Sequence, residues 1–233
     1  MDTWIALARG PLFRISLAIC LLGLAYRFGT AAWQIAAAQR RAGDRRLPHR
    51  TVLRATARWL LPWRLLRLRP LYGLASLLFH AGILLLPLFY VGHVTLWGAI
   101  LPPWWPRLGR GASDAFTYLA LAGLAVILLE RLLVKASRDL SRAGDAGILL
   151  LLLALAASGY WAAHPSASPL APRTMLLVHM LAGNLALVVT PLSKIVHCVL
   201  APLTQLLGEV GWHFPAESGR RVAIALAKEN EPI

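Results

Sequence analysis

The stretch LYGLASLLFHAGILLLPLFYVGHVTLWGAIL, from Leu71 to Leu101, contains no aspartate, glutamate, lysine or arginine. Its polar interruptions include two histidines, His80 and His93. A helix crossing the hydrocarbon of a bilayer needs about 17–25 mostly apolar residues, so this stretch predicts a membrane span. Four more qualify: Ile15 to Ala38, Ala115 to Val134, Ala146 to Ala163, and Thr174 to Leu203. The second and fifth spans are long enough to tilt or bend. Each carries a proline, Pro87 and Pro191, which a membrane helix tolerates at the cost of one backbone bond and a kink. The expected fold class is an all-α membrane protein with five transmembrane helices, residues 1–206, followed by a cytoplasmic tail, residues 207–233.

Composition agrees. Of 233 residues, 58% are hydrophobic and 15% charged, against about 45–50% and about a quarter in a soluble domain. That excludes a disordered chain and argues against an ordinary cytosolic enzyme. The formal net charge of +14, from 24 Lys+Arg against 10 Asp+Glu, would suggest nucleic acid in a polar chain. Here it reads as a topology signal, with the lipid bilayer and no nucleic acid as partner. The basic loop 39–70 holds ten arginines, among them Arg45, Arg46, Arg50, Arg54 and Arg58. Arg131, Lys135, Arg138, Arg142, Lys194, Arg220, Arg221 and Lys228 lie on the same side of the predicted spans. Only Arg9, Arg14, Arg107, Arg110 and Arg173 lie opposite, and Arg27 is inside the first span. The positive-inside rule puts the amino terminus outside and the carboxyl end in the cytoplasm, as an odd number of spans requires.

The first stretch resembles a signal peptide only in its small residues Ala36 to Ala38. It is too long for an h-region, and its arginines follow it, so a retained span is expected. Leu60 to Arg69 alternates apolar residues with arginine, beside Trp59 and Trp63, and reads either as an interfacial segment on anionic headgroups or as a solvated loop. Pro102 to Pro106, with Trp104 and Trp105, reads as an aromatic anchor at the outer interface.

Of seven histidines, His49, His164 and His213 fall in predicted loops or the tail, where solvation is the default. The other four, His80 and His93 in the second span and His179 and His197 in the fifth, fall in hydrocarbon, where an ionisable residue marks function. If these spans are antiparallel neighbours, His80 meets His197 toward the cytoplasm and His93 meets His179 toward the outside. The two levels are ~20 Å apart along one helix and ~27 Å along the other. Two stacked bis-histidine sites suit two haem b groups, with both axial positions filled for electron transfer. Cys20 and Cys198 form no Cys-x-x-Cys or Cys-x-x-Cys-His motif. Gly82, Gly92 and Gly183 are expected either to clear a macrocycle or to let helices approach. On a straight helix, the 18-residue step from His179 to His197 returns to one face, whereas the step from His80 to His93 leaves the rings roughly 140° apart. The haem reading therefore requires a kink or rewinding near Pro87.

Ser76 to Leu84 with Val91-Gly-His93, Leu177-Val-His179, and Thr190 to His197 resemble the second and fifth helices of the gamma (cytochrome b) subunit of respiratory nitrate reductase. Gly144-Asp145 and Gln34 to Gln39 are similar too, and the resemblance runs over most of the chain. It implies a five-helix dihaem cytochrome b in a bacterial inner membrane, part of a respiratory oxidoreductase complex. That subunit oxidises quinol from the quinone pool near its outer haem. It passes electrons to a cytoplasmic iron–sulfur subunit, with terminal catalysis on a separate catalytic subunit. By position His80 and His197 would be axial to the inner haem iron, and His93 and His179 to the outer. The chain departs from the pattern in its longer His80–His93 spacing and its longer, more basic first loop.

These departures leave open related cytochromes of sulfur metabolism and heterodisulfide-reductase-like complexes, which run electrons toward quinone. A haem-free proton-relay transporter is the rival from another class. Arg107 and Arg110 are candidates for the quinone site or for interfacial anchoring. Lys194 is a candidate for a haem propionate or for snorkelling.

Overall fold

A computed structural model describes residues 1–42, 49–60, 63–98, 101–213 and 218–230. Its helices are α1 Asp2–Leu7, α2 Phe13–Ala42, α3 His49–Leu60, α4 Trp63–Leu68, α5 Pro70–Phe89, α6 Val91–Trp97, α7 Arg110–Leu133, α8 Lys135–Asp139, α9 Ala143–Ala163, α10 Pro172–Val189, α11 His197–His213 and α12 Ser218–Ala225. There is no β-strand among the described residues. Five helical segments are long and apolar enough to cross a membrane: Asp2–Ala38, Pro70–Phe89, Arg110–Leu133, Ala143–Ala163 and Pro172–Leu192. The chain is therefore an all-α, multi-pass membrane protein with five spanning helices.

Two of those spans are shorter than the sequence suggests. The second stops at Phe89, because Tyr90 takes an extended conformation (ψ 130°) before α6 begins. The fifth stops at Leu192. Short 3-10 turns, Thr190–Leu192 and Lys194–Val196, flank an extended Ser193 (φ −124°, ψ −175°) before α11 starts at His197. His179 and His197 thus lie on separate helices, and their shared face on one straight helix does not hold.

The contacts divide the chain into two units, residues 1–17 with 65–187, and residues 18–64 with 188–233. The first unit has a core of Ala75 and Phe79 on α5, Leu124 and Ile127 on α7, and Leu149 on α9. Small residues let α5 and α7 approach backbone to backbone. A Cβ on Gly82 would lie 2.6 Å from Cβ of Ala120, and one on Gly123 would run into the carbonyl of Ala75. Early α5 thus meets late α7, and the pair is antiparallel. Helix α9 starts on a capping arrangement: Asp145, buried, accepts the Arg142 N–H at 3.0 Å and lies 3.8 Å from the Arg131 guanidinium. A carboxylate suits this position because the first-turn N–H groups have no helical acceptor. At the chain start, a π turn over Ala8–Leu12 contains Pro11. There the buried Asn184 amide of α10 donates to the Ala8 carbonyl at 3.0 Å.

In the second unit, most of the described part of the basic loop is helical. Val52 and Thr56, one turn apart, are buried on α3, which packs on α11. Arg50, Arg54 and Arg58 fall on its exposed side at the same four-residue interval. Helix α4 covers part of the interfacial stretch; Leu61, Pro62, Arg45 and Arg46 lie outside the described residues. Arg27, unexplained by sequence, donates from Nε to the Pro191 carbonyl at 3.3 Å. That carbonyl sits where the fifth span breaks, and a guanidinium supplies the donor the interrupted helix does not.

Candidate functional site

His93 is placed by the break at Tyr90. Pro87, inside α5, has no N–H to give the Ile83 carbonyl, and the helix ends two residues later at Phe89. The carbonyls at the end of α5 are then taken up one by one. Leu86 accepts from the Tyr90 N–H at 3.0 Å and from His93 Nδ1 at 2.9 Å. Leu88 accepts from Trp105 Nε1 at 2.9 Å, and Phe89 from the Leu108 N–H at 2.8 Å. The Trp105 ring also stacks on Phe89, with centroids 5.7 Å apart. One residue of the predicted aromatic anchor therefore seals the helix break, while Trp104 remains 77% exposed. The extended Tyr90 resets the helical phase. The 140° offset of a continuous helix consequently does not apply to His93.

His179 comes from α10 and lies against α9. Its Nδ1 is 3.2 Å from the Leu155 carbonyl and 3.3 Å from the Ser158 hydroxyl. Gly159 makes the room: a Cβ there would lie 2.9 Å from the imidazole Cε1. The His93 and His179 rings then face each other with centroids 5.9 Å apart and planes inclined by 27°. Both belong to the first unit.

The tautomers follow from the partners. A carbonyl oxygen can only accept, so Nδ1 carries the hydrogen in His93 and in His179. That leaves Nε2 as the nitrogen with a lone pair, the arrangement of a metal-binding imidazole steadied by a second hydrogen bond. The two rings stay close, with centroids 5.9 Å apart, and they are the pair that would hold a metal at this place. The donor set, two neutral imidazoles, is one that iron accepts. No group of three or more His, Cys, Asp or Glu able to hold a metal occurs among the described residues, but a haem iron needs only two protein ligands.

The other predicted ligands show the same Nδ1 pattern. His80 lies 2.7 Å from the Ser76 carbonyl, four residues earlier, and edge-on to Phe79 at 4.8 Å. His197 lies 2.8 Å from the Lys194 carbonyl. His80 belongs to the first unit and His197, on an exposed stretch, to the second. Of the glycines, Gly82 is explained by helix packing against Phe116 and Ala120, and a Cβ on Gly92 would meet the Tyr90 ring at 2.7 Å. Gly183 is roomier, with its nearest neighbour at 3.7 Å. Arg107 and Arg110 are exposed.

A second cluster escaped the sequence. Asp114 and Tyr118 are one turn apart on α7; Tyr160 and His164 are one turn apart at the end of α9. Antiparallel packing pairs them in register. His164 Nε2 meets the Asp114 carboxylate at 3.2 Å, and the Tyr118 hydroxyl donates to that of Tyr160 at 2.7 Å. The Tyr160 and His164 rings stack at 4.3 Å. The four-residue spacings were visible in the sequence, but the pairing of the two helices was not.

Among curated proteins the chain is similar to one from Nitratidesulfovibrio vulgaris (strain Hildenborough). The two are 30% identical over 228 residues, covering 92% of this chain and 95% of the relative. The chain belongs to that protein's family. The relative is called simply "Protein", so the kinship covers most of the chain without carrying an activity. No family model matches, and no solved structure does.

Proposed function

We propose that this chain is a membrane-anchoring dihaem cytochrome b of a respiratory oxidoreductase complex, similar to the nitrate reductase gamma subunit. It would lie in a bacterial inner membrane with its amino terminus outside. The observation that carries the reading is the His93–His179 pair. Two imidazoles from different helices come together with centroids 5.9 Å apart, each with Nδ1 held by a carbonyl. With Nδ1 given to a carbonyl, each ring keeps Nε2 as the nitrogen with a lone pair. His80 and His197 are proposed for the inner haem from the resemblance to the nitrate reductase gamma subunit alone.

When bound, the two haems would supply one-electron carriers between a quinol at the outer face and a cytoplasmic iron–sulfur partner. The chain's own part is positional. Tyr90 and Trp105 fix the turn that presents His93, Gly159 admits His179, and Leu86 and Leu155 set the tautomers. The exposed Arg50, Arg54 and Arg58 on α3 offer a basic face to an acidic partner surface.

Paired substitution tests this. His93→Gln and His179→Gln should each remove the same haem, with identical residual spectra, because each leaves one axial ligand. If each variant retains the full haem complement of the parent chain, the pair is not a ligand set.

A further inference from the structure

The Asp114–Tyr118–Tyr160–His164 cluster is not used by the haem reading. Tyr118 lies within a spanning helix and is 52% exposed. The Asp114 side chain keeps 28% of its surface open and that of His164 keeps 17%. His164 is the residue after the last one of α9, where the span ends.

The hydrogen bonding is also unusual. His164 Nδ1 faces the Tyr160 carbonyl at 3.0 Å while Nε2 faces the Asp114 carboxylate at 3.2 Å. Both ring nitrogens point at acceptors, so the imidazole and the carboxyl share a proton between them. A donor and an acceptor are thereby held side by side at the membrane edge. One turn deeper, the paired tyrosines, with ring centroids 5.3 Å apart, add an aromatic surface and a second donor–acceptor pair.

A ligand matching this face has a flat aromatic head, hydroxyl groups and access through lipid. We propose that Asp114, His164, Tyr118 and Tyr160 form the recognition site for a quinol headgroup: the ring lies against Tyr118 and one hydroxyl engages the Asp114–His164 pair. The proposal rests on the quinol-oxidising reading above and gives that substrate a place. Ser158, which touches His179, lies six residues before His164 on α9, so the proposed site is ~9 Å farther along that helix. The plain alternative is a clamp that sets the register of α7 against α9.

Binding of a short-chain naphthoquinol to the purified full-length protein separates these readings. It is measured by quenching of tryptophan fluorescence, with haem content recorded on the same samples. Asp114→Asn, which keeps the shape, and Tyr118→Phe, which keeps the ring, should each raise the Kd about tenfold or more, with haem content unchanged. A parent chain that does not bind the quinol, or variants that bind it as the parent does, overturn the site, even if their melting temperature falls. Absence of haem from the parent chain would instead sink the cytochrome reading, while the change in Kd still decides this one.

Discussion

Replacing Gly159 by valine tests how His179 is held. A β-carbon at this position would lie 2.9 Å from Cε1 and 3.3 Å from Nδ1 of the imidazole. Ordinary contacts start near 3.4 Å, so the ring must retreat by about half an ångström even for alanine, and farther for the branched valine. The bond from Nδ1 to the Leu155 carbonyl is already 3.2 Å long. A retreat of that size carries it past the limit of a useful hydrogen bond, releasing both the tautomer and the ring orientation. Overpacking of this kind costs about 1–3 kcal/mol. The haem proposed for His93 and His179 should therefore be lost or loosened while the one proposed for His80 and His197 stays. Haem per chain should fall from two toward one in a pyridine haemochrome assay. Gly147 lies on the same helix with open space around its would-be β-carbon, so Gly147→Ala is the control. It should keep both haems and gain up to about 1 kcal/mol from helix propensity. If Gly159→Val keeps two haems with the parent spectrum, the imidazole is not seated as described.

Three further outcomes follow from the packing. Gly123→Leu should separate α5 from α7 and lower the denaturation midpoint in detergent by the equivalent of about 1–3 kcal/mol, because its side chain would enter the backbone of Ala75 and the Phe79 side chain. Arg27→Leu should cost about 1–3 kcal/mol in the same assay by orphaning the Pro191 carbonyl; an unchanged midpoint would show that carbonyl to be satisfied otherwise. A cysteine introduced at Glu229, in a chain with Cys20 and Cys198 replaced by serine, should react with an impermeant maleimide only after the membrane is opened from the cytoplasmic side. Labelling of intact spheroplasts would reverse the orientation proposed from the arginines.

The spans were legible because hydrophobic length is a local property: each stretch is apolar over its own length whatever it packs against. The breaks were not. Pro87 signals an interruption, but the helix gives way three residues later, at Tyr90, where Trp105 and Leu108 can take the released carbonyls. Those partners lie in a loop whose return could not be read from periodicity. Ser193 is likewise an ordinary residue whose extended backbone is supported by its own hydroxyl, which accepts from the Ile195 N–H.

Similar reasons apply to the site. The four histidines stood out by chemistry, and the structure brings the rings of His93 and His179 together. The geometric argument for that pairing was incomplete, since it treated each long span as one straight helix. His164 looked like a solvated loop residue beside Pro165. Its importance depends on Asp114, fifty residues earlier, which only antiparallel packing brings opposite. Loop 39–70 was read by its arginines alone, and Val52 and Thr56 among them mark an amphipathic helix rather than a loop.

The central claim is that facing imidazoles hold haem, and haem stoichiometry tests it most directly. The full chain, purified from its membrane in mild detergent, should contain two non-covalent b haems per polypeptide, both six-coordinate and low-spin in reduced-minus-oxidised spectra. A chain that is folded, retains its helicity and carries no haem would contradict the account.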